Sequence, residues 1–239
     1  MLKGFVVLFV VMLGHTMAVP QANLTLVDVF SAGEGGYACI KIPSLVCTGN
    51  GTLIALGEAR TGSCSDFTQT SLVSKRSFDG GATWGALTVV FAEEGHVIGN
   101  AAPVVVPKGA SGGEELVMPF CRDNREVFVA FSVDAGASWS HPRNVTSQAV
   151  RPHWPWVGTG PPSSLLLSEG PFAGRIVTPS YHTYYAHEDG ELSHGHVMYS
   201  DDAGVSWSLS ADIDGNGHLS NECQAAQLSN GLLFFSSSS

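Results

Sequence analysis

The chain has 239 residues, of which 44% are hydrophobic and 13% are charged, and its formal net charge is −10. This length and apolar content allow a sizeable core and exclude a disordered, solvating chain. The acidic balance and the lack of clustered Lys or Arg argue against nucleic acid and against an anionic membrane surface as partners.

The N-terminus reads MLKGFVVLFVVMLGHTMAVPQ, in which one lysine precedes a short apolar run and small residues follow up to Ala18. A membrane-spanning helix needs about 20 apolar residues, so we predict a cleaved signal peptide over residues 1–18 rather than an uncleaved anchor. We expect no membrane span, and secretion or delivery to a lumen such as the lysosome. Three Asn-x-Ser/Thr triplets fit that compartment and begin at Asn23, Asn50 and Asn144.

After the leader, residues 19–239 are predicted to form one domain of short strands. Runs rich in β-branched and aromatic residues alternate with breaks that contain many of the 28 glycines. The runs are LTLVDVF, GTLIALGEA, TSLVSKRS, ALTVVFAE, APVVVP, ELVMPF, EVFVAFS, GRIVTPSY and HVMYS. None has a sustained helical period, so the sequence predicts an all-β fold with mostly antiparallel strands.

Three segments, residues 77–84, 132–139 and 200–207, share the pattern Ser-x-Asp-x-Gly-x-x-Trp. In a tight turn the Asp carboxylate accepts backbone N–H bonds, the Gly supplies a positive φ, and the Trp covers the base of the hairpin. Recurrence at intervals of tens of residues predicts a radial array of similar sheets, a β-propeller. We therefore interpret Asp79, Asp134 and Asp202 as structural residues.

The five cysteines, at positions 39, 47, 64, 121 and 223, have no metal-ligand spacing. In an oxidising compartment we expect one or two disulfides and an unpaired thiol, with the pairing left open. The histidine-rich segment HEDGELSHGH, residues 187–196, is interpreted as a loop tip. The sequence therefore indicates no cofactor and no metal cluster, while a calcium site of the kind found in some propellers stays open.

Four further segments, taken in chain order, resemble the sialidase family. They are YACIKIPSLVCTGNGTLIALGEAR with TGSCSDFTQT, GNAAPVVV with FCRDN, WPWVGTGPPSSLLL through GRIVTPSYH, and SNECQAAQLSNGLLFF. The repeated turns resemble that family's Asp-boxes, which lie away from the catalytic centre. The resemblance implies a six-bladed β-propeller, of which this chain would form an incomplete, N-terminal portion of about four blades.

The resemblance also implies a mechanism. A carboxylate nucleophile would be repelled by the carboxylate of sialic acid, so the family uses a neutral tyrosine activated by a glutamate. A loop aspartate acts first as general acid and then as base. Three arginines bind the substrate carboxylate through their planar guanidinium groups.

Two carboxylates match the family's catalytic positions. Asp66 stands at the acid/base position, with a turn-capping role as its alternative. Glu222, in NECQ, matches the glutamate that activates the tyrosine, and a solvated surface glutamate is its alternative. The nucleophilic tyrosine and the third arginine belong to later blades of the family, and tyrosines 37, 181, 184, 185 and 199 lie elsewhere in the motif order.

Five residues match substrate-binding positions. Arg60 corresponds to an arginine near the sugar ring, or else to a salt-bridged residue at the rim. Lys41 stands where the family has the first arginine of the clamp, and a lysine without the planar fork weakens carboxylate binding. Asn100, Tyr181 and His182 fall on pocket-lining segments, with packing in the core as the alternative.

The leading hypothesis is a secreted exo-α-sialidase. It would release terminal sialic acids from glycoproteins, glycolipids or oligosaccharides with retention of configuration, and a truncated chain would be weakly active or inactive. A second hypothesis is a degenerate or lectin-like propeller that binds sialylated glycans without cleaving them. A third is an unrelated Asp-box propeller, against which the other four motifs count.

Overall fold

The computed structural model describes residues 25–109, 112–186, 190–213 and 220–238. Within these ranges the chain consists of strands and turns, with one short helix, Thr146–Ala149 (α1), and a 3-10 turn at Glu34–Gly36. No helix in this part is long and apolar enough to cross a membrane. The predicted signal peptide, Asn23 and the first residues of the histidine-rich segment lie outside the described residues.

In the described part of the chain, sixteen strands form four antiparallel sheets that follow one another in sequence. Sheet one contains Cys39–Cys47 (β1), Leu53–Arg60 (β2), Thr70–Ser77 (β3) and Thr88–Phe91 (β4). Sheet two contains Ile98–Gly99 (β5), Val104–Pro107 (β6), Glu114–Arg122 (β7), Glu126–Ser132 (β8) and Arg143–Asn144 (β9).

Sheet three contains Trp156–Thr159 (β10), Leu165–Leu166 (β11), Ile176–Ala186 (β12), Gly190–Ser200 (β13) and Ser208–Leu209 (β14). Sheet four contains Cys223–Gln227 (β15) and Leu233–Ser237 (β16). The strands of each sheet are connected mainly to their sequence neighbours, as in the blades of a propeller. The all-β prediction and the estimate of about four blades are both confirmed.

Strand prediction succeeded for most runs and failed for one. TSLVSKRS and EVFVAFS match β3 and β8 residue for residue. In contrast, residues 25–30 of the run LTLVDVF form no strand. The Val29 carbonyl instead accepts a hydrogen bond of 2.7 Å from Lys75 Nζ, whose ammonium also lies 5.6 Å from the Phe30 ring centre. This segment is therefore held against sheet one by a side chain instead of by a ladder of backbone hydrogen bonds.

Apolar side chains fill the spaces between adjacent sheets. Between sheets one and two, Ile54, Leu56 and Leu72 pack with Met118 and Phe120. A second cluster fills the space between sheets two and three and comprises residues such as Val117, Val129, Ile176, Met198 and Trp207. Because each cluster draws on two sheets, burial of these apolar faces fixes how neighbouring sheets stack.

The three Asp-box turns share one hydrogen-bond pattern. In the second turn, Ser132 Oγ donates to Asp134 Oδ1 at 2.8 Å, and the backbone N–H of Ser138 donates to the same oxygen at 2.9 Å. The N–H of Gly136 donates to Ser132 Oγ at 2.9 Å. Equivalent bonds surround Asp79 and Asp202. These carboxylates are therefore engaged within their own turns.

Candidate active site

A polar cavity of about 550 Å³ lies where residues of the first three sheets meet the segment that precedes sheet four. Its size falls in the range of small-molecule sites. Of the residues selected from the sequence, five line it, namely Arg60, Asp66, Asn100, Tyr181 and Glu222. The cavity also includes Phe67, Asn124 and Trp156. The structure thus brings together side chains that are far apart along the chain.

Arg60, at the end of β2, connects two carboxylates in this cavity. Its side chain is 3% exposed, and Nη2 donates to Glu58 Oε2 at 2.9 Å. Nη1 donates to the Cys64 carbonyl at 3.0 Å and to Asp66 Oδ1. The guanidinium therefore holds the Asp66 loop against the buried end of the strand.

Glu58 is a site residue that the sequence reasoning did not select. It is buried, and Oε1 accepts a hydrogen bond of 2.8 Å from the backbone N–H of Asn100. A Cβ on the neighbouring Gly99 would overlap this carboxylate, so glycine there permits the contact. Burial raises the pKa of Glu58 above its ordinary value, against the opposing hydrogen bonds from Asn100 and Arg60.

The loop that carries Asp66 is tied down at several points. A disulfide joins Cys64 in the loop to Cys39 at the start of β1. Thr68 Oγ1 donates to the Thr61 carbonyl at 2.6 Å and narrows the base of the loop. The Asp66 side chain itself remains 73% exposed. The carboxyl group is thus presented to solvent and to the cavity from an anchored loop.

The disulfide resolves the pairing that the sequence left open. Of the five cysteines, Cys39 and Cys64 are bonded, while Cys47, Cys121 and Cys223 are free. Burial raises the pKa of the Cys121 thiol to about 11, so it is a poor nucleophile.

Tyr181 and Glu222 also line the cavity. Tyr181 lies on β12, where its ring packs over Gly158 and its centroid is 4.6 Å from that of Trp156. Glu222 immediately precedes β15, next to the buried Cys223. Burial raises the pKa of Tyr181, and the negative charge of Glu222 adds to the effect. Tyr181 is therefore a neutral phenol at neutral pH.

Lys41 and His182, which were expected at the substrate site, do not line this cavity. The pairing of β1 with β2 shifts register between Lys41 and Ser44. Ile42 adopts a φ of 49° there and lines the cavity, while Lys41 is exposed. A β-bulge thus changes which side chain of the segment reaches the site.

His182 is excluded from the cavity by strand geometry. It follows Tyr181 on β12, and successive side chains on a strand point to opposite faces. His182 is fully buried, stacks on Trp154 with ring centres 3.7 Å apart, and has Nδ1 3.1 Å from Nδ1 of His196. His182 therefore packs in the core of sheet three instead of lining the cavity.

No group of three or more His, Cys, Asp or Glu residues in the described part of the chain is arranged to hold a metal ion. The cavity instead offers one buried guanidinium, one buried carboxylate, two exposed carboxylates and aromatic walls. Such a combination suits a polar ligand with hydroxyl groups that donate to the carboxylates.

The fold and the cavity define a class: an all-β, propeller-like protein with a polar site where its sheets meet. A family model described as "BNR repeat-like domain" matches residues 51–234. The chain belongs to this family.

Sialidases are similar to the chain over most of its length. A sialidase from Bacteroides fragilis is 26% identical over 241 residues, which cover 87% of this chain and 41% of the relative. A sialidase from Micromonospora viridifaciens is 25% identical, with 88% of this chain and 34% of the relative covered. The chain therefore spans less than half the length of these relatives.

Solved structures show the same fold. The Hadza microbial sialidase Hz136 matches with a TM-score of 0.71 at 23% identity, over 86% of this chain and 43% of that one. The NanB sialidase from Streptococcus pneumoniae matches with a TM-score of 0.60 at 13% identity, over 90% and 51%. The four sheets thus correspond to a fraction of a sialidase propeller.

Proposed function

We propose that the cavity is a sialic-acid site of the exo-α-sialidase type. The observation that carries this proposal is the meeting of Asp66 and Glu222, 156 residues apart (222 minus 66), at one cavity. The similarity of the chain to proteins named sialidase supports it. The ligands would be terminal sialic acids of glycoproteins, glycolipids or oligosaccharides.

In this proposal the two carboxylates have different roles. Asp66, exposed and bonded to Arg60, would protonate the glycosidic oxygen of the leaving sugar and then activate water. Glu222 would be the partner of a tyrosine nucleophile. Tyr181 does not match that role, because it lies elsewhere in the motif order and its ring packs against Trp156. We therefore expect slow turnover by the chain of 239 residues.

A second candidate function is binding of sialylated glycans without cleavage. Among the described residues that line the cavity, Arg60 is the only arginine. Both of its Nη atoms already donate hydrogen bonds to protein oxygens. Lys41, expected at the carboxylate clamp, is exposed outside the cavity lining. Weak carboxylate binding is compatible with a protein that binds its ligand without cleaving it.

Two measurements on the purified chain test these functions. Calorimetry reports binding of sialic acid, and a fluorogenic sialoside reports hydrolysis. For the sialidase we expect binding, slow hydrolysis, and loss of hydrolysis but not of binding in Asp66→Asn. The binding protein would bind and never hydrolyse. Asp28→Asn, at a position outside the cavity lining, is the matched control. Absence of both binding and hydrolysis would contradict both functions.

The compartment is part of the same proposal. Removal of residues 1–18 during secretion would place the propeller segment where sialylated glycoconjugates occur. Sequencing the N-terminus of the chain secreted from a eukaryotic host tests this, because a start near Val19 supports cleavage and a start at Met1 or Leu2 contradicts it.

A further inference from the structure

Phe67 is an aromatic residue at the rim of the cavity that is not buried in the fold. Its side chain lines the cavity and is nevertheless 88% exposed. Single exposed apolar side chains are common on protein surfaces. This one, however, directly follows Asp66, at the edge of a polar site.

The loop anchors the backbone that carries the Phe67 ring. The Cys39–Cys64 disulfide and the Arg60–Asp66 ion pair fix the segment on its N-terminal side. The backbone N–H of Phe67 donates to Ser65 Oγ at 3.3 Å. An aromatic ring on an anchored backbone loses little conformational entropy when a ligand packs against it.

The chemistry of a general acid places the leaving sugar next to this ring. Asp66 must come within hydrogen-bond distance of the glycosidic oxygen, since that atom receives its proton. The sugar that leaves is bonded to the same oxygen and therefore lies over the loop. The C–H face of a pyranose ring is apolar and packs well on an aromatic face.

We propose that Phe67 is a specificity-determining residue that binds the sugar to which the terminal sialic acid is attached. This inference rests on the proposed function. It adds that the preferred ligands are sialylated oligosaccharides rather than free sialic acid. Phe67 contributes nothing to recognition of the sialic acid ring itself.

Affinities for sialic acid and for 3′-sialyllactose, measured by calorimetry on the same protein, test the inference. We expect wild type to bind 3′-sialyllactose more tightly than sialic acid. Phe67→Ala should weaken the binding of 3′-sialyllactose by about 3- to 10-fold and leave the affinity for sialic acid unchanged. Phe67→Trp should retain the preference. Phe78→Ala removes another exposed phenylalanine that does not line this cavity and should have no effect.

The other outcomes are distinguishable. Equal weakening of both ligands by Phe67→Ala would mean that the ring only supports the loop and would overturn the inference. Equal affinity of wild type for sialic acid and 3′-sialyllactose would also overturn the inference, but it would leave the proposed function standing. If wild type binds neither ligand, the proposed function fails and the inference fails with it.

Discussion

Arg60 organises the site at the residue scale because it joins two carboxylates in different environments. Glu58 is buried and bonded to a backbone N–H, whereas Asp66 is mostly exposed. Removing one member of a buried ion pair leaves the other charge without compensation. The position of Asp66 therefore depends on Glu58 through Arg60, which bonds to both carboxylates.

The raised pKa of Glu58 predicts a pH-dependent stability. A carboxyl with a raised folded-state pKa contributes stability below its ordinary pKa of 4.5, and that contribution is lost as pH rises through the folded-state value. Glu58→Gln cannot titrate. We therefore expect wild type to lose stability relative to Glu58→Gln as the pH rises above 4.5 and through the folded-state pKa.

Urea unfolding of both proteins across that range measures the difference. Glu94→Gln, which removes an exposed carboxylate, is the control. The difference in unfolding free energy between wild type and Glu94→Gln should not change in this way with pH. A difference in unfolding free energy between wild type and Glu58→Gln that does not change with pH would contradict the burial argument.

Several site residues were predictable one by one, and others were not. Asp66 and Glu222 were selected from motifs, and both line the cavity. Glu58 was recoverable, because residues two apart on a strand share a face and Arg60 was already selected. The same alternation excludes His182 once Tyr181 faces the cavity. The exclusion of Lys41 from the cavity was not predictable, because the bulge at Ile42 has no clear signal in the sequence.

At the scale of elements, the third Asp-box turn packs against a neighbouring sheet. Gly204 in the third turn, which follows β13 of sheet three, has a φ of 86°, and a Cβ on it would lie 2.6 Å from Val117 Cγ1 in sheet two. Arg143 Nη2 of β9 donates to the Gly204 carbonyl at 2.5 Å. The turn therefore packs against the preceding sheet in addition to closing its own hairpin.

Gly204→Ala should destabilise the fold more than an equivalent change at an open position. Gly51→Ala is the matched control, since the φ of Gly51 is 84° and a Cβ added there would meet no atom within 4 Å. Both variants carry the cost of a positive φ, about 1 kcal/mol, but only Gly204→Ala adds a clash in the core. We expect an additional loss of about 1–3 kcal/mol in chemical denaturation. Equal losses would show that the turn does not pack between sheets.

Strands β12 and β13 carry a buried pair of histidines that predicts acid sensitivity. Burial lowers the pKa of His182 to about 4 and of His196 to about 3, and neither Nε2 has a hydrogen-bond partner. Nearby charges act in both directions on His182, with Asp212 raising its pKa and His194, Arg151 and His153 lowering it. Both imidazoles are therefore neutral at neutral pH.

The sign of the effect follows from proton binding. An unfolded histidine titrates near 6.5, so between that pH and about 4 the unfolded state binds more protons. The stabilisation that comes from keeping these histidines neutral is therefore present above pH 6.5 and is lost as the pH drops. His182→Phe keeps a ring on Trp154 and should remove roughly 2–3 kcal/mol of this loss between about pH 7 and 4. His141→Phe, at an exposed position, should retain the wild-type dependence in urea unfolding; an identical dependence in His182→Phe would contradict the assignment.

Strand identity was largely predictable at this scale, because the alternation of apolar and polar residues is a local property. The segment at residues 25–30 failed, since its contact with Lys75 is long-range. The Cys39–Cys64 pairing could not be predicted either, as it depends on where the Asp66 loop packs relative to β1.

At the scale of the whole molecule, the cavity depends on the arrangement of all four sheets. Sheet one supplies Arg60 and the Asp66 loop, sheet two supplies Gly99, sheet three supplies Tyr181, and Glu222 precedes sheet four. Sheet four presents exposed apolar side chains at Leu233 and Phe234. A propeller was predictable from the repeats, but the convergence of these side chains required the resemblance to a known family.

A crystal structure of the chain soaked with sialic acid tests the central claim most directly. We expect electron density for the sugar in the cavity bounded by Arg60, Asp66, Tyr181 and Glu222, with the two carboxylates facing the same ligand. Density for sialic acid at another surface, or Asp66 and Glu222 on opposite faces of the molecule, would contradict it.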